Sequence, residues 1–337
     1  MLTPTIALST ETGKLPVMHL KRFWNKAILT REGKLNGDAF IGEWATDTTL
    51  LAALGLGLEQ TMQYVFHAAP TFEQFENWIL EVTGGTDAGK IARFNQLISG
   101  DGEGSQCRDN DLLTKEDWDF FNKNGYIVIR NAVTPEHCDL AIEAICNFLE
   151  IDRYDPLTWY KPHPERKGIM VQLFNHPALE QNRHTYKIKK AFEELLNRTD
   201  LWVNTDRAGF NPPQTESHPF QGPRLHWDVS LQLPIPFGLQ GILYLADTAE
   251  NQGAFTLVPG YQNKIDNWIN SLPANANPRT ENLYALGPKS IAANAGDFIM
   301  WHHALPHGSS PNTATVPRFV QYINYLPLEP VENGVWK

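Results

Sequence analysis

Cysteine is scarce in this chain of 337 residues. There are three, Cys107, Cys138 and Cys146, an odd number with no Cys-x-x-Cys pair. That argues against a disulfide framework and against structural zinc, and a reducing compartment is expected. Positive charge is also short: 28 Lys and Arg against 38 Asp and Glu leave a net charge of −10. Broad binding to nucleic acid or to an anionic membrane is therefore not expected, although a local basic pocket is compatible with that balance. No stretch approaches the ~20 apolar residues that span a bilayer. The opening "MLTPTIALSTETGKLPV" lacks a basic segment followed by an apolar one, so a soluble cytoplasmic protein is expected. Internal repeats and low-complexity segments are missing too.

What is present is an ordinary globular composition, 42% apolar and 20% charged, long enough for one large domain or two modest ones. Residues 1–98 read as helical. "DTTLLAALGLGLEQTMQYVFHAA" carries long apolar runs around Gly55 and Gly57. "TFEQFENWIL" opens on a capping box, Thr71 with Gln74, and sets Phe72, Phe75, Trp78 and Ile79 on one face. A lid, a dimer contact or part of a substrate wall would each suit this region. The glycine-rich, polar stretch 99–111 reads as a linker. After it come a helix from Thr114, a strand "GYIVIRNAV", and a helix opened by Thr134-Pro135. From about 200 the texture changes to short strand-like runs separated by turn residues: "LWV", "RAGF", "DVSLQL", "LQGILYLAD", "GAFTLVPG", "GDFIMWH" and "PRFVQYINYLP". Such spacing indicates a sandwich or barrel, and a jelly roll is the natural closed form. The fold expected is mainly β with helices, a jelly-roll domain over 112–328 with a helical N-terminal extension and a short tail, 329–337.

Three His-x-acid triplets occur: His137-Cys-Asp139, His163-Pro-Glu165 and His226-Trp-Asp228. Metal ligation needs both side chains aimed at one point. Residues i and i+2 diverge on a helix but share a face on a strand. The first triplet falls in the helix after Thr134, and the second lies in the proline-bracketed loop "KPHPERKG". His226 and Asp228 enter the expected strand "RLHWDVSLQL" and would supply two of the three ligands of a His–carboxylate–His facial triad. A buried histidine bonded to a strand-edge aspartate would look the same. The third ligand has three candidates downstream, His302, His303 and His307.

"HWD" followed by "HGSSPNTATVPR" resembles the phytanoyl-CoA dioxygenase family, whose members are Fe(II)- and 2-oxoglutarate-dependent oxygenases on a double-stranded β-helix. His307, Gly308, Ser309, Asn312, Thr313, Pro317 and Arg318 match the family's segment in order. "LTKEDWDFFNKNGYIVIRNAVTPEHC" resembles its domain opening and "TAENQGAFTLVPGY" a later strand and turn, so the likeness spans about 112–328. It implies that His226, Asp228 and His307 hold Fe(II), with O₂ and 2-oxoglutarate taking the open positions. It implies that Arg318 clamps the distal carboxylate of 2-oxoglutarate in a bidentate fork, with Ser309 adding a hydroxyl and Gln172 and Tyr244 as further contacts. Because Asp228 is a carboxylate, oxygenation is expected rather than halogenation. The substrate would be a small molecule, with Trp159, Tyr160, Lys161, Arg224 and His303 as its contacts. A cupin-type metalloenzyme that does not use 2-oxoglutarate, and a non-catalytic jelly-roll binding module, are the alternatives. The oligomeric state is open.

Overall fold

A computed structural model describes residues 5–36, 42–100, 105–107 and 111–327. Parts of the expected linker and all of the expected tail lie outside them. The described residues fall into two compact units. The first takes those up to Gln106 together with Arg198–Asp206 and those from Tyr325; the second takes Cys107–Asn197 and Arg207–Asn324.

The first unit is built on helices Leu20–Arg31, Trp44–Leu54, Leu58–Ala68, Phe72–Thr83 and Ala88–Ile98. The apolar run around Gly55 and Gly57 is two helices. Gly55 ends the first at φ 70°, a left-handed cap that favours glycine, and Gly57 opens the next. The Thr71 hydroxyl accepts from the Gln74 N–H at 3.2 Å and the Gln74 side chain accepts from the Thr71 N–H at 2.8 Å, closing the expected capping box. Phe23, Leu50, Phe75, Ile79 and Phe94 form the core, which Trp202 joins. The expected strand "LWV" does form, as Trp202–Val203. It pairs with Tyr325–Leu326 inside this helical unit rather than in the β-rich one.

The second unit opens as expected. Thr114 caps the helix Lys115–Asn124, the strand Tyr126–Ile129 follows, and Thr134 caps Pro135–Leu149. Its larger sheet has seven antiparallel strands in the order Tyr126–Ile129, Phe298–His302, Leu239–Tyr244, Arg318–Tyr322, Ala208–Asn211, Met170–Val171 and Arg166–Lys167. A second sheet orders His307–Ser309, Phe255–Leu257 and Lys289–Ser290. The inward faces of the two pack together: Ile242, Tyr244, Ile299, Trp301 and Val320 meet Phe255, Leu257 and Ile291, with the Phe255 and Trp301 rings 4.2 Å apart. The outer face of the larger sheet is covered as well. Phe298 lies 6.0 Å from Phe192, and Gln321 donates to the Leu179 carbonyl. Coverage on both sides explains why these strands read as apolar runs instead of clean alternation.

One expected strand is missing. "RLHWDVSLQL" forms a single antiparallel bridge, at His226, and otherwise runs through bends. The carbonyls of Trp227 and Val229, which a neighbouring strand would need, accept instead from the guanidinium of Arg279. Pro223, Pro234 and Pro236 flank the segment and offer no N–H to a ladder.

Candidate metal centre

His226 and Asp228 converge without a strand to align them. Trp227 between them is buried, its indole N–H donating to the Ala304 carbonyl at 2.9 Å. With the indole anchored inward, the two flanking side chains turn to the other side. His226 also pairs through its backbone with His307: N–H groups donate in both directions, at 2.9 and 3.0 Å. Gly308 permits this close approach, because a Cβ there would sit 2.6 Å from the Arg224 carbonyl oxygen. Of the three candidates for the third ligand, His307 is therefore the one at the site.

The donor atoms face one another. His226 Nε2 lies 3.2 Å from Asp228 Oδ1, and His307 Nε2 lies 3.2 Å from Asp228 Oδ2. In each imidazole the other nitrogen faces a carbonyl two residues upstream, Arg224 at 2.7 Å and Leu305 at 3.1 Å. A carbonyl only accepts, so Nδ1 carries the proton in both rings and Nε2 presents its lone pair when the rings are neutral. A metal with bonds of about 2.1 Å holds adjacent ligand atoms about 3 Å apart, and two imidazoles with one carboxylate are the facial set of non-haem iron. Burial opposes ionisation of Asp228, but the hydrogen bonds that His226 and His307 donate when Nε2 also carries a proton outweigh it and hold the carboxyl far below the ordinary range. Burial pulls His226 down, and its bond to Asp228 more than compensates, raising it. Asp228 keeps 49% of its side-chain surface open whereas His307 keeps 5%, so access is from the carboxylate side.

Two further residues position Asp228, and sequence reasoning missed both. Gln240 donates to Oδ2 at 2.7 Å. It begins the inward-facing alternation Gln240, Ile242, Tyr244, and a polar residue at the end of an apolar stripe was the available signal. Arg279 grips the carbonyls on either side of Asp228. It sits in a short 3-10 helix, Pro278–Thr280, that carries no motif.

Arg318 is fully buried at the start of its strand. One Nη1 hydrogen is donated to Ser309 Oγ at 3.2 Å, while Nε and Nη2 have no partner among the described residues. Gln172 is also buried, with both amide atoms unpartnered. Val171 pairs with Ala208 and Gly209 with Val320, so alternation turns Gln172 inward with Val320. Tyr244 differs: its hydroxyl donates to the Ile291 carbonyl and accepts from the Phe255 N–H, both at 2.8 Å. It has no hydrogen left to offer a ligand, and burial, partly offset by nearby Arg318, pushes its pKa up to about 12.

The expected substrate contacts disperse. The Trp159 indole is buried and donates to the Asp152 carbonyl. Tyr160 donates to the Pro213 carbonyl and stacks on His218. Tyr160 and exposed Lys161 line a separate cavity whose walls include none of the three metal-ligand candidates. The proline-bracketed loop packs on the edge strand Arg166–Lys167, where Arg166 donates to the Trp159 carbonyl, and this carries the loop away from the centre. Arg224 contributes its backbone carbonyl while its side chain is exposed. His303 is engaged by the Pro236 carbonyl through Nε2, and burial holds it and His302 below the ordinary imidazole range. The helical triplet separates as expected: His137 pairs with Gln181 and Asp139 with Arg153.

A second constellation, His19, Glu43 and Asp47, also has its donor atoms close enough to hold a cation. There the Lys26 ammonium already occupies that role, 2.6 Å from Glu43 and 2.8 Å from Asp47.

The phytanoyl-CoA dioxygenase family model matches residues 121–320. A "Putative phytanoyl-CoA dioxygenase" of Dictyostelium discoideum is 24% identical over 267 residues, 64% of this chain and 76% of that protein. The crystal structure of GlcNAc Inducible Gene 2 (DUF1479) from Candida albicans superposes with a TM-score of 0.51 at 15% identity, over 65% of this chain and 64% of that one. The epimerase SnoN, solved with Fe3+, alpha ketoglutarate and nogalamycin RO, gives a TM-score of 0.46 at 14% identity, over 63% and 83% of the two chains. Among the described residues, no helix is long and apolar enough to cross a membrane.

Proposed function

The chain belongs to the phytanoyl-CoA dioxygenase family, and from that membership we propose that it oxidises, most simply hydroxylates, an unactivated C–H bond of a small molecule in specialised metabolism, with release of succinate and CO₂. Members of this family use Fe(II), 2-oxoglutarate and O₂. When bound, the metal and its co-substrate supply the oxidising chemistry; the chain supplies binding, aim and exclusion of water. In this reading the two packed sheets are a double-stranded β-helix. His226, Asp228 and His307 hold the metal through two neutral imidazoles and a carboxylate kept ionised. Asp228 fills the position a halide would need, which selects oxygenation over halogenation. Gln240 and Arg279 keep that carboxylate in place.

The observation that carries the proposal is Arg318. A fully buried guanidinium with Nε and Nη2 unpartnered is strongly unfavourable unless an anion completes it. A carboxylate laid across those two nitrogens would receive two parallel hydrogen bonds. Ser309, which accepts from Arg318, has its own hydroxyl hydrogen free to donate. Gln172 offers a second unsatisfied polar group on the inward face.

The test is anaerobic titration with Fe(II) and then 2-oxoglutarate. A visible metal-to-ligand charge-transfer band is expected, weakened in Arg318→Met. Iron binding without the band would favour a metalloenzyme that does not use 2-oxoglutarate; no iron binding at all would sink the reading entirely.

A further inference from the structure

A cavity of about 270 Å³ lies at the edge of the larger sheet, between the loop after Trp159 and the segment that follows the strand Ala208–Asn211. Its cationic and titratable walls are Lys161, His163, Arg166 and His218, and no aspartate or glutamate lines it. In a chain with 38 acidic and 28 basic residues, a concave surface free of carboxylates is a local inversion of the overall charge. The nearest acids in sequence, Glu165 and Glu216, are exposed and not part of the wall.

Arg166 is the centre of the argument. Its Nε donates to the Gly168 carbonyl and one Nη1 hydrogen to the Trp159 carbonyl, and the guanidinium lies 4.9 Å over the Phe210 ring. These contacts fix the plane of the group and leave Nη2 without a hydrogen-bond partner among the described residues. Among the described residues no carboxylate reaches it. Burial accordingly pushes the Arg166 pKa below its ordinary value, whereas Arg22, hydrogen-bonded to Glu43, is raised. Lys161 is exposed and has no ion-pair partner among the described residues. Tyr160 and His218, both in the cavity wall, stack at 4.4 Å, which offers a ring surface to an unsaturated or apolar portion of a ligand. Pro162, Pro212, Pro213 and Pro219 stiffen the rim, so little ordering is needed on binding.

We propose that this cavity is an oxyanion-binding site, separate from the metal centre, that takes a small metabolite through its carboxylate or phosphate group. Arg166 and Lys161 provide the charge, and His218 with Tyr160 the stacking surface. The volume suits a small molecule or the anionic end of a larger one. The inference does not rest on the proposed chemistry at the metal.

Isothermal titration of the full-length protein tests it, with and without Fe(II), using inorganic phosphate, succinate and 2-oxoglutarate as separate probes. At least one probe is expected to bind with millimolar or better affinity in the absence of iron, and raising salt should weaken it. Lys161→Ala and Arg166→Met should each weaken binding, the latter by at least about tenfold, the step that one decade in Kd represents. Arg318→Met should leave it unchanged. Because Arg166 also braces its loop, Lys161→Ala with His218→Ala gives a second variant, altered only at exposed side chains. A phosphate preference would identify a phosphorylated metabolite; a preference for succinate or 2-oxoglutarate would identify a dicarboxylate of the family's own reaction. If no probe binds, or if binding is indifferent to Lys161 and Arg166 and tracks Arg318, the proposal is wrong. Neither result depends on whether the charge-transfer band forms.

Discussion

The helical unit and the β-rich unit each gather charged side chains into a cluster that is at least partly buried, and they treat it in opposite ways. In the helical unit the cluster is closed. Lys26, fully buried, lies between Asp47 and Glu43; Arg22 reaches Glu43 at 2.7 Å; His19 reaches Asp47 at 2.9 Å and Ser9 at 2.9 Å. In the β-rich unit Arg318 is just as buried, yet two of its nitrogens are unpartnered. The three metal-ligand candidates bring their donor atoms together, and among the described residues no lysine forms an ion pair with Asp228. Both units therefore hold two-carboxylate or His–carboxylate geometry, and donor spacing alone does not separate them. What separates them is whether the fold provides the counter-charge. Where it does, the cluster is part of the architecture; where it does not, the missing charge falls to a ligand in the proposed function.

The sharpest way to break that comparison is to remove one cation from each unit. Lys26→Met leaves Asp47 and Glu43 short of a partner, and removing one member of a buried ion pair costs about 3–5 kcal/mol. Urea denaturation followed by circular dichroism should register that loss. Arg318→Met removes an unpaired buried charge, so the same measurement should show no loss of stability, or a gain. Affinity for 2-oxoglutarate should move the other way, untouched by the first change and reduced by the second. If both variants are destabilised alike, the contrast between closed and open clusters fails.

Acid probes the same contrast more gently. Burial works against ionised Glu43, but hydrogen bonds from Arg22 and Lys26 dominate and lower its pKa from 4.5 to about 2. A depressed carboxyl stabilises the fold above its unfolded value and loses that contribution as pH falls towards the folded one. Stability should therefore decline between about pH 4.5 and 2. Glu43→Gln should flatten that part of the pH profile; an unaltered slope would show that the stabilisation comes from elsewhere.

How far the sequence revealed these differences depends on the range of the contact involved. Local signals were readable. Thr71 and Gln74 announced a helix start, and the His-x-Asp and His-Gly-Ser segments pointed to residues that the fold does bring together. Helix geometry correctly separated His137 from Asp139. Lys26 and Asp47, by contrast, lie on different helices in an unremarked pattern, and only tertiary packing joins them. The strand expected at "RLHWDVSLQL" is absent because a guanidinium some fifty residues downstream takes its carbonyls. Tyr160 and Lys161 were expected to meet the substrate, but the Tyr160 hydroxyl is tied to the Pro213 carbonyl and both residues line a different cavity.

Arg279 gives the next prediction, smaller because the residue touches neither metal nor substrate. Its hydrogen bonds to the carbonyls of Trp227 and Val229 hold the turn that carries Asp228. Loss of such an outer support costs about 10–100-fold in metal affinity. Arg279→Ala should weaken Fe(II) binding by that order, and Arg279→Lys should restore little of it, since one ammonium cannot reproduce a planar fork. A variant with normal iron affinity but reduced stability would make Arg279 merely structural.

The smallest effect is expected at Tyr244, where it separates a binding role from a packing one. The residue sits beside Arg318, and position alone suggests a contact to 2-oxoglutarate. Its hydroxyl, however, is saturated by Ile291 and Phe255. Tyr244→Phe leaves a buried carbonyl and a buried N–H without their partner, a loss of about 1–3 kcal/mol, and denaturation should show it. The 2-oxoglutarate titration should not change, because no hydrogen bond to the co-substrate has been removed. A shift in that titration without a loss of stability would mean that the hydroxyl turns towards the ligand when Arg318 is engaged. The open cluster would then extend one residue deeper into the sheet than the backbone contacts indicate.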